Sequence, residues 1–463
     1  MNTAMNATER RTLVSLASLY ALRMLGLFMV LPVMFTYGDQ LVGATPFLLG
    51  MALGIYGATQ AVFQVPLGWL SDRVGRKPVI AAGLMVFALG SLLAAASDSI
   101  FWVVVGRALQ GAGAIASSTM ALLTDLTREH HRTKALAVVG ITIGLSFTLA
   151  MMLGPWLAVL WGLSGIFYLT AGLAMLGVLV VYGVVPAEPE RSSSRRTFRH
   201  ALGQVAADPH LQRLNFGVFS LHLVLMALFV VVPLGLVAGG LEKEHHGTLY
   251  IPVMIVAFLL MAPLMIVAER KQQAARIFSF SVALLLAVSM VFGGFGAGQN
   301  WWFLALGLVV FFIGFNYLEA SMPSLLSRLV VPELKGTAMG LFSTSQFLGA
   351  SVGGMLGGWI YQQFGPESVY FACGGLMLIW FALSLKQKIP GKLQTLDLPN
   401  PTWHAQLQPD QWLQQISESL ELQQGVERVS VTLVGDTTRV EYRAQHPHLN
   451  KEQLMRAVSL ESA

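Results

Sequence analysis

Charge is scarce in this chain. Asp, Glu, Lys and Arg make up only 11% of its 463 residues, against about 25% in a soluble domain. With 55% hydrophobic residues and a mean hydropathy of +0.63, most of the chain is expected to be solvated by lipid rather than by water. Cysteine is nearly absent. The single Cys373 excludes an internal disulfide and any cysteine-built metal or haem site. No nucleophile with a paired base, no phosphate-binding glycine loop and no metal-ligand constellation stands in the sequence. Enzymatic chemistry, a resident cofactor, a bound metal and nucleic-acid recognition are therefore not expected.

What is there in abundance is apolar runs of about 20 residues, the length a helix needs to cross about 30 Å of hydrocarbon. Twelve are expected, at 12–37, 46–70, 79–97, 100–124, 136–160, 163–185, 213–237, 249–268, 277–295, 301–327, 337–361 and 367–386. Lys and Arg fix their orientation, because cytoplasmic connections hold them back from translocation. One alternate set of connections, with the N-terminus and residues 386–392, carries 21 basic residues, and the opposite set carries one, Lys243. Both termini are therefore expected in the cytoplasm. The first run is too long for a signal-peptide core and no small-x-small cleavage site follows it, so it is expected to be retained.

The polar stretch 186–212 interrupts the runs and divides them six plus six. Its Pro, Ser and Arg content suits a flexible cytoplasmic linker between halves 1–185 and 213–391. A short basic connection, 71–78, has a counterpart about 200 residues on at 268–276, as an internal repeat would. Beyond residue 391 the charge density rises and the apolar runs stop, so 392–463 reads as a small soluble domain. Lys392–Leu398 is expected as a strand and 410–424 as a helix with Leu413, Ile416 and Leu420 on one face. A hairpin follows, turning at Gly435-Asp436-Thr437-Thr438, and helix 450–459 ends the chain. This βαββα order resembles a ferredoxin-like module without its last strand. It holds no Cys-x-x-Cys loop, so metal transfer is not expected of it. With a net charge of −3 against +8 for residues 1–391, the domain is expected to dock on the basic loops, or to pair its open edge strand with a second copy or another protein.

Ionisable side chains inside the runs cost about 2.5–3.5 kcal/mol each to insert, which makes each a functional candidate. They are Arg23, Arg107, His222 and Glu319. Glu319 lies nine residues before Arg328, about 13 Å inside the cytoplasmic rim by helical rise. Desolvation there would favour the protonated carboxyl, as a proton-coupled carrier needs. The structural alternative is a carboxylate pairing with an arginine or capping polar groups beside Asn316. Arg23 sits too deep to snorkel. His222 either lines the cavity and titrates or is a hydrogen-bonded core residue.

The densest charge lies between the second and third runs, in Gly68-Trp69-Leu70-Ser71-Asp72-Arg73-Val74-Gly75-Arg76-Lys77. This Gly-x-x-x-Asp-Arg-x-Gly-Arg-Lys pattern resembles the loop signature of the major facilitator superfamily of secondary transporters. Arg107-Ala-Leu-Gln110-Gly111 is similar to that family's antiporter motif in helix 4. Together with Phe315-Asn316-Tyr317-Leu318-Glu319-Ala320 and the appended domain, these segments place the resemblance in the drug:proton antiporter group. Helix 5 departs from the group's pattern: around Leu153-Gly154-Pro155 the first glycine is replaced by Ala150 and the final pair by Ala158 and Val159.

The resemblance implies an all-α polytopic fold of twelve transmembrane helices in two six-helix halves, with a small-molecule site between them and rocking that gives alternating access. It implies that Arg107 faces the central cavity, a clamp to helix carbonyls being the alternative. It also implies a latch, in which Asp72 faces the start of helix 11 near Gly336-Thr337 and Arg76 reaches Asp125, while Gly68 and Gly75 allow close approach. Arg73 and Lys77 are equally well explained as positive-inside anchors. The expected activity is proton-coupled export of small amphipathic molecules across a bacterial inner membrane. The degenerate helix 5 pattern leaves solute:proton symport open. A membrane sensor or scaffold signalling through the C-terminal domain is the rival from another class.

Overall fold

The computed structural model describes residues 5–188, 198–270, 273–295, 300–330, 334–387, 393–399, 426–434 and 437–444. The chain divides into two compact units, Met1–Met265 with Arg276–Gln387, and Ile266–Ala275 with Lys388–Ala463. The first is helical. In order its helices are α1 (Ala7–Phe28), α2 (Met34–Tyr37), α3 (Pro46–Val74), α4 (Arg76–Ala95), α5 (Ile100–Ala112), α6 (Ala116–Asp125) and α7 (Glu129–Gly183). Then follow α8 (Phe198–Ala207), α9 (Pro209–Ala238), α10 (His246–Arg270), α11 (Ala274–Phe295), α12 (Trp301–Leu329), α13 (Lys335–Phe364) and α14 (Pro366–Ser384).

Local chemistry explains where these helices start and break. Asn6 caps α1 by accepting from the Glu9 amide, and the Glu9 side chain caps back, a reciprocal box. Thr45 and Asp208 cap α3 and α9, each with proline in the first turn. The first expected span, 12–37, is not one helix. Pro32 lacks a donor, and the chain makes turns over 29–33 before resuming as α2. The fourth breaks between α5 and α6 at Gly113, whose backbone lies against Gly83. The continuous assignment of α7 hides two crossings: 55 residues exceed any bilayer, and Gly162, at φ 66°, turns the chain between them. The expected linker 186–212 is not wholly irregular, since α8 lies within it, with Val205 buried.

Ten helices are long and apolar enough to cross a membrane. Separating the two segments of α7 adds one crossing, and α13 adds another, making twelve among the described residues. At 30 residues, about 45 Å by helical rise, α13 is long enough to span but too rich in glycine and hydroxyl residues to stand out as apolar. It does not need to, because it is wedged between α9 and α3. Gly349, Gly353 and Gly357 lie against the backbone or Cα of Phe219, Leu223 and Ala227 in α9. Gly354 and Gly358 lie against Gly50 and Gly54 in α3. Side chains this small let helix backbones approach closely enough to gain packing energy in lipid.

That α3–α13 contact is confined to one end of the bundle. There the Phe47 amide donates to Gln362 Oε1 at 3.0 Å, and Lys243 Nζ lies 4.4 Å from the Tyr37 ring centroid and 3.5 Å from the Thr36 carbonyl. At the other end, which carries Asp72 and Lys335, Gly336 and Gly340 have nothing within 4 Å of where a Cβ would stand. Among the described residues, the backbone-to-backbone contact between the two halves thus lies at the Lys243 end.

In the second unit, β1 (Leu393–Pro399), β2 (Val426–Val434) and β3 (Thr437–Ala444) form an antiparallel sheet in the order β1-β3-β2. Leu396 pairs with Val440, and Val431 with Val440 from the other side. Both outer strands oppose β3, so they run parallel to each other. The expected helices 410–424 and 450–459 lie outside the described residues.

Candidate functional site

Three helices of the C-terminal half bring one polar cluster together. Glu319 stands on α12, His222 on α9 and Gln346 on α13. His222 Nε2 is 3.6 Å from Glu319 Oε2. Gln346 Nε2 is 2.8 Å from His222 Nε2 and donates to Glu319 Oε1 at 3.3 Å. His222 Nδ1 lies 3.1 Å from the Val218 carbonyl, a group that only accepts, so the proton of the neutral ring belongs on Nδ1. Nε2 is then an acceptor for the Gln346 amide. The His222 side chain is 10% exposed and that of Glu319 37%, which leaves the carboxylate wetter than its depth in the sequence suggests.

Aromatic rings wall the cluster. Phe315 is 6.0 Å from His222 and stacks on Phe147 of α7 at 6.2 Å and on Phe311 at 5.8 Å. Phe147 lies 5.1 Å from Phe28 at the end of α1, so residues of both halves meet here. Asn316 does not join in: its Nδ2 is buried without a partner.

The N-terminal half carries a separate network around two arginines. Arg107 is 1% exposed. It donates from Nε to the Ala52 carbonyl at 3.0 Å and from Nη1 to Gln110 Oε1 at 2.6 Å, and Gln110 donates on to Ser91. Its guanidinium lies 5.1 Å from the Tyr56 ring centroid. Gly111 lets α5 come against the Tyr56 carbonyl. Arg107 is thus turned into the helix packing, the clamp geometry, rather than onto an open cavity. Arg23, 2% exposed, donates to Tyr56 Oη at 3.0 Å and Gln60 Oε1 at 2.7 Å, while its Nε and Nη1 are buried without acceptors. Among the described residues neither arginine has a carboxylate within ion-pair distance. Uncompensated buried cations are costly, and polar groups of α3 and α5, with the rings of Phe87 and Tyr56, offset part of that cost.

The charged loop is organised around Arg76. Its guanidinium pairs with Asp72 one turn before it, with Asp125 Oδ2 at 3.2 Å, and with Ser71 Oγ at 2.7 Å. Gly75, at φ 129°, makes the turn between α3 and α4 that an L side chain resists. Gly68 lies against Ser117. Arg73 stacks on Trp69 with its guanidinium 3.8 Å from the ring centroid. The pairing of Asp72 with Arg76 joins two side chains and is not itself a helix cap. An anion does cap a helix here, but elsewhere: Glu188 accepts from the Arg76 and Lys77 amides at 3.1 and 2.6 Å, while Lys77 Nζ donates to the Val185 carbonyl at 2.6 Å. Sequence reasoning passed over Glu188, Glu9 and Gln346, because each lies outside a recognised motif.

Comparison with known proteins decides the family. A profile of the Major Facilitator Superfamily matches residues 16–315 and 273–418. The chain belongs to the major facilitator superfamily. It is 44% identical over 399 residues to the inner membrane transport protein YajR of Escherichia coli, covering 86% of this chain and 87% of that one. It is 34% identical over 352 residues to an uncharacterized transporter of Buchnera aphidicola, at 75% and 90% coverage. The multidrug resistance protein MdtH of Proteus mirabilis is 24% identical over 380 residues, at 80% and 93%. Among solved structures, a bacterial homologue of the human lysosomal transporter Spinster superposes with a TM-score of 0.66 at 14% identity, over 83% of this chain and 98% of that one. These relatives and neighbours of a multi-pass membrane protein are transporters, not enzymes.

Proposed function

We propose that this member of the superfamily is a proton-coupled secondary transporter that exports small amphipathic molecules from the cytoplasm by alternating access. The observation that carries the reading is the Glu319–His222–Gln346 cluster. It is a carboxylate and an imidazole within ion-pair range, beside a wall of aromatic rings to which both halves contribute, in a bundle whose described α3–α13 contact lies at the Lys243 end. The 21-to-1 distribution of basic residues supports a cytoplasmic location for the Asp72 end and both termini, and with the described contact between halves at the opposite end it supports an inward-facing reading of the conformation in a bacterial inner membrane. The similarity to a multidrug resistance protein supports an amphipathic cargo, and the aromatic wall suits one.

Glu319 binds the transported proton in this reading, and Arg107 and Arg23, with Gln110, fix the helix packing of the N-terminal half around the path. Asp72, Arg76 and Asp125 latch the cytoplasmic side when it closes. Export follows if proton and cargo compete for the same carboxylate. A cationic cargo would satisfy this, because a carboxylate attracts a cation only when deprotonated.

Proteoliposomes with an imposed pH gradient and a panel of lipophilic cations and sugars test it. Glu319→Gln is expected to abolish gradient-driven movement of a lipophilic cation and to leave its binding measurable. Undiminished gradient-driven transport by that variant removes Glu319 from the mechanism, and cargo moving with the proton rather than against it replaces export by symport.

A further inference from the structure

We infer that Lys243 latches the outer end of the bundle, bridging the two halves in the conformation described here and letting go when they rock apart. This role deepens the alternating-access reading above and rests on it.

Lys243 is out of place by the rule that orients the chain. Twenty-one basic residues stand in one set of connections and termini and Lys243 alone in the opposite set, where a positive charge works against the insertion that the others direct. A purely solubilising lysine would leave its ammonium in water. This one is half-buried and reaches the other half of the molecule, 4.4 Å from the Tyr37 ring centroid and 3.5 Å from the Thr36 carbonyl. A cation within about 6 Å of a ring centroid is attracted by the negative face of the ring, and the carbonyl accepts from one of the three ammonium N–H groups. Glu242 and Glu244 flank Lys243 in the sequence, yet Glu242 turns to His245 Nδ1 at 3.7 Å while the ammonium crosses to Tyr37.

Both sides of the contact are held by their own backbones. After α9, Gly240 at φ 93° reverses the chain. The Leu241 amide then bonds back to the Leu236 carbonyl and the His245 amide to the Glu242 carbonyl, each at 2.9 Å, which fixes a 3-10 turn over Lys243–His245. A Cβ at Gly247 would stand 3.0 Å from the Met152 carbonyl oxygen of α7, so the same short segment meets the N-terminal half twice. Across from it, α2 starts anew after the break at Pro32, with Met34 and Phe35 buried and the Tyr37 amide bonded to the Val33 carbonyl at 3.0 Å. The ordering cost of the contact is thereby confined largely to the lysine side chain.

α2 belongs to half 1–185 and Lys243 to half 213–391, so the contact exists only with the outer ends together. An interaction made in one conformation biases the equilibrium by its full strength, whereas one made equally in both biases nothing. At the strength of an exposed cation–π pair the bias is roughly two- to fivefold in the ratio of closed to open outer ends. A lysine on the wrong side of the membrane thus acts on the cycle without touching cargo or proton.

The test is the rate at which a membrane-impermeant methanethiosulfonate, added to right-side-out vesicles, modifies Ser351→Cys in the full chain carrying Cys373→Ala. Ser351 is buried where α13 meets α3, and a Cβ at Gly57 would stand 3.1 Å from its amide nitrogen. A thiol there is reached from outside only when the outer ends part, so the rate reads the open population even when that population is small. Lys243→Met keeps an unbranched stem without the charge and is expected to speed modification roughly two- to fivefold. Tyr37→Leu should do the same, and the double variant no more than either alone, because both remove one contact. Lys243→Arg, whose guanidinium also stacks on rings, should restore the slow rate. Should Lys243→Met fail to insert, Lys243→Gln carries the test. An unchanged rate in the inserted variant, or a double variant whose effect is the product of the two single ones, overturns the latch and leaves alternating access standing. A Ser351→Cys thiol that stays unmodified from the outer face in every variant overturns alternating access and the latch with it. Neither result depends on Glu319.

Discussion

A methyl group added at Gly354 tests the sealed end of the bundle. Its Cβ would stand 2.8 Å from both the Gly50 carbonyl oxygen and the Gly54 amide nitrogen of α3. These are backbone atoms, which cannot rotate aside, so α3 and α13 must separate by about half an ångström to restore van der Waals contact. Overpacking of this kind costs about 1–3 kcal/mol, and the cost falls only on the conformation in which the two helices touch. The gain in helix propensity from Gly to Ala, about 1 kcal/mol, applies to every conformation and cancels from the ratio. At 1.4 kcal/mol per factor of ten, Gly354→Ala should shift the population away from the conformation described here roughly five- to hundredfold.

The measurement is a distance distribution between spin labels at the sealed end, on Val42→Cys and Gln363→Cys, both exposed positions. The native Cys373, buried on α14, is first replaced by alanine. A second, longer distance should appear in Gly354→Ala. Gly340→Ala is the control, because nothing lies within 4 Å of that site and the sealed end is untouched by it. An unchanged distribution in a folded Gly354→Ala would refute the assignment of this contact as the seal, and equal opening in Gly340→Ala would attribute the effect to general loosening.

Two further outcomes follow from other parts of the molecule. Glu9, with a side chain 3% exposed, is paired with Arg128 at 2.7 Å and also accepts from the Arg128 amide at 3.0 Å; because Arg128 is 44% exposed, Glu9→Gln should cost only about 1–2 kcal/mol, read as a lower unfolding temperature in detergent with transport rate per folded molecule preserved. Removing residues 392–463 should leave intrinsic transport in place, since the candidate site lies wholly in the first unit; complete loss of transport in a stable, inserted truncation would put the domain inside the mechanism.

Much of the fold was legible because lipid simplifies the code. A helix must satisfy its own backbone in hydrocarbon, so run length and basic-residue placement nearly determine the crossings. The sequence misses cluster where that code is silent. Pro32 and Gly113 interrupt helices whose side chains remain apolar, so hydropathy passes straight through the breaks. Glu9 sits just ahead of the first apolar run and reads as a loop charge, although folding buries it. Gln346 carries no charge, so the insertion cost that exposes Glu319 and His222 as candidates does not mark it. Arg107 was visible as an oddity, but which way a buried arginine turns depends on neighbours from distant segments, here Ala52 and Tyr56.

Conformation is the property furthest from the sequence, and α13 shows why. Its glycines at 349, 353 and 357 form a visible four-residue repeat, which explains close packing but does not say against what. The structure separates two faces, one toward α9 in the same half and one, through Gly354 and Gly358, toward α3 in the other. In the alternating-access reading proposed above, a contact within a half persists when the halves rock, whereas a contact between halves is made and broken in every cycle. The same added methyl therefore acts on different quantities one residue apart. At Gly353, whose Cβ would meet Leu223 backbone, it destabilises both conformations and lowers folding stability without favouring either. At Gly354 it destabilises one conformation and changes their ratio. A glycine repeat in a transporter helix thus records two kinds of contact, and only the three-dimensional neighbour tells the structural one from the one that moves.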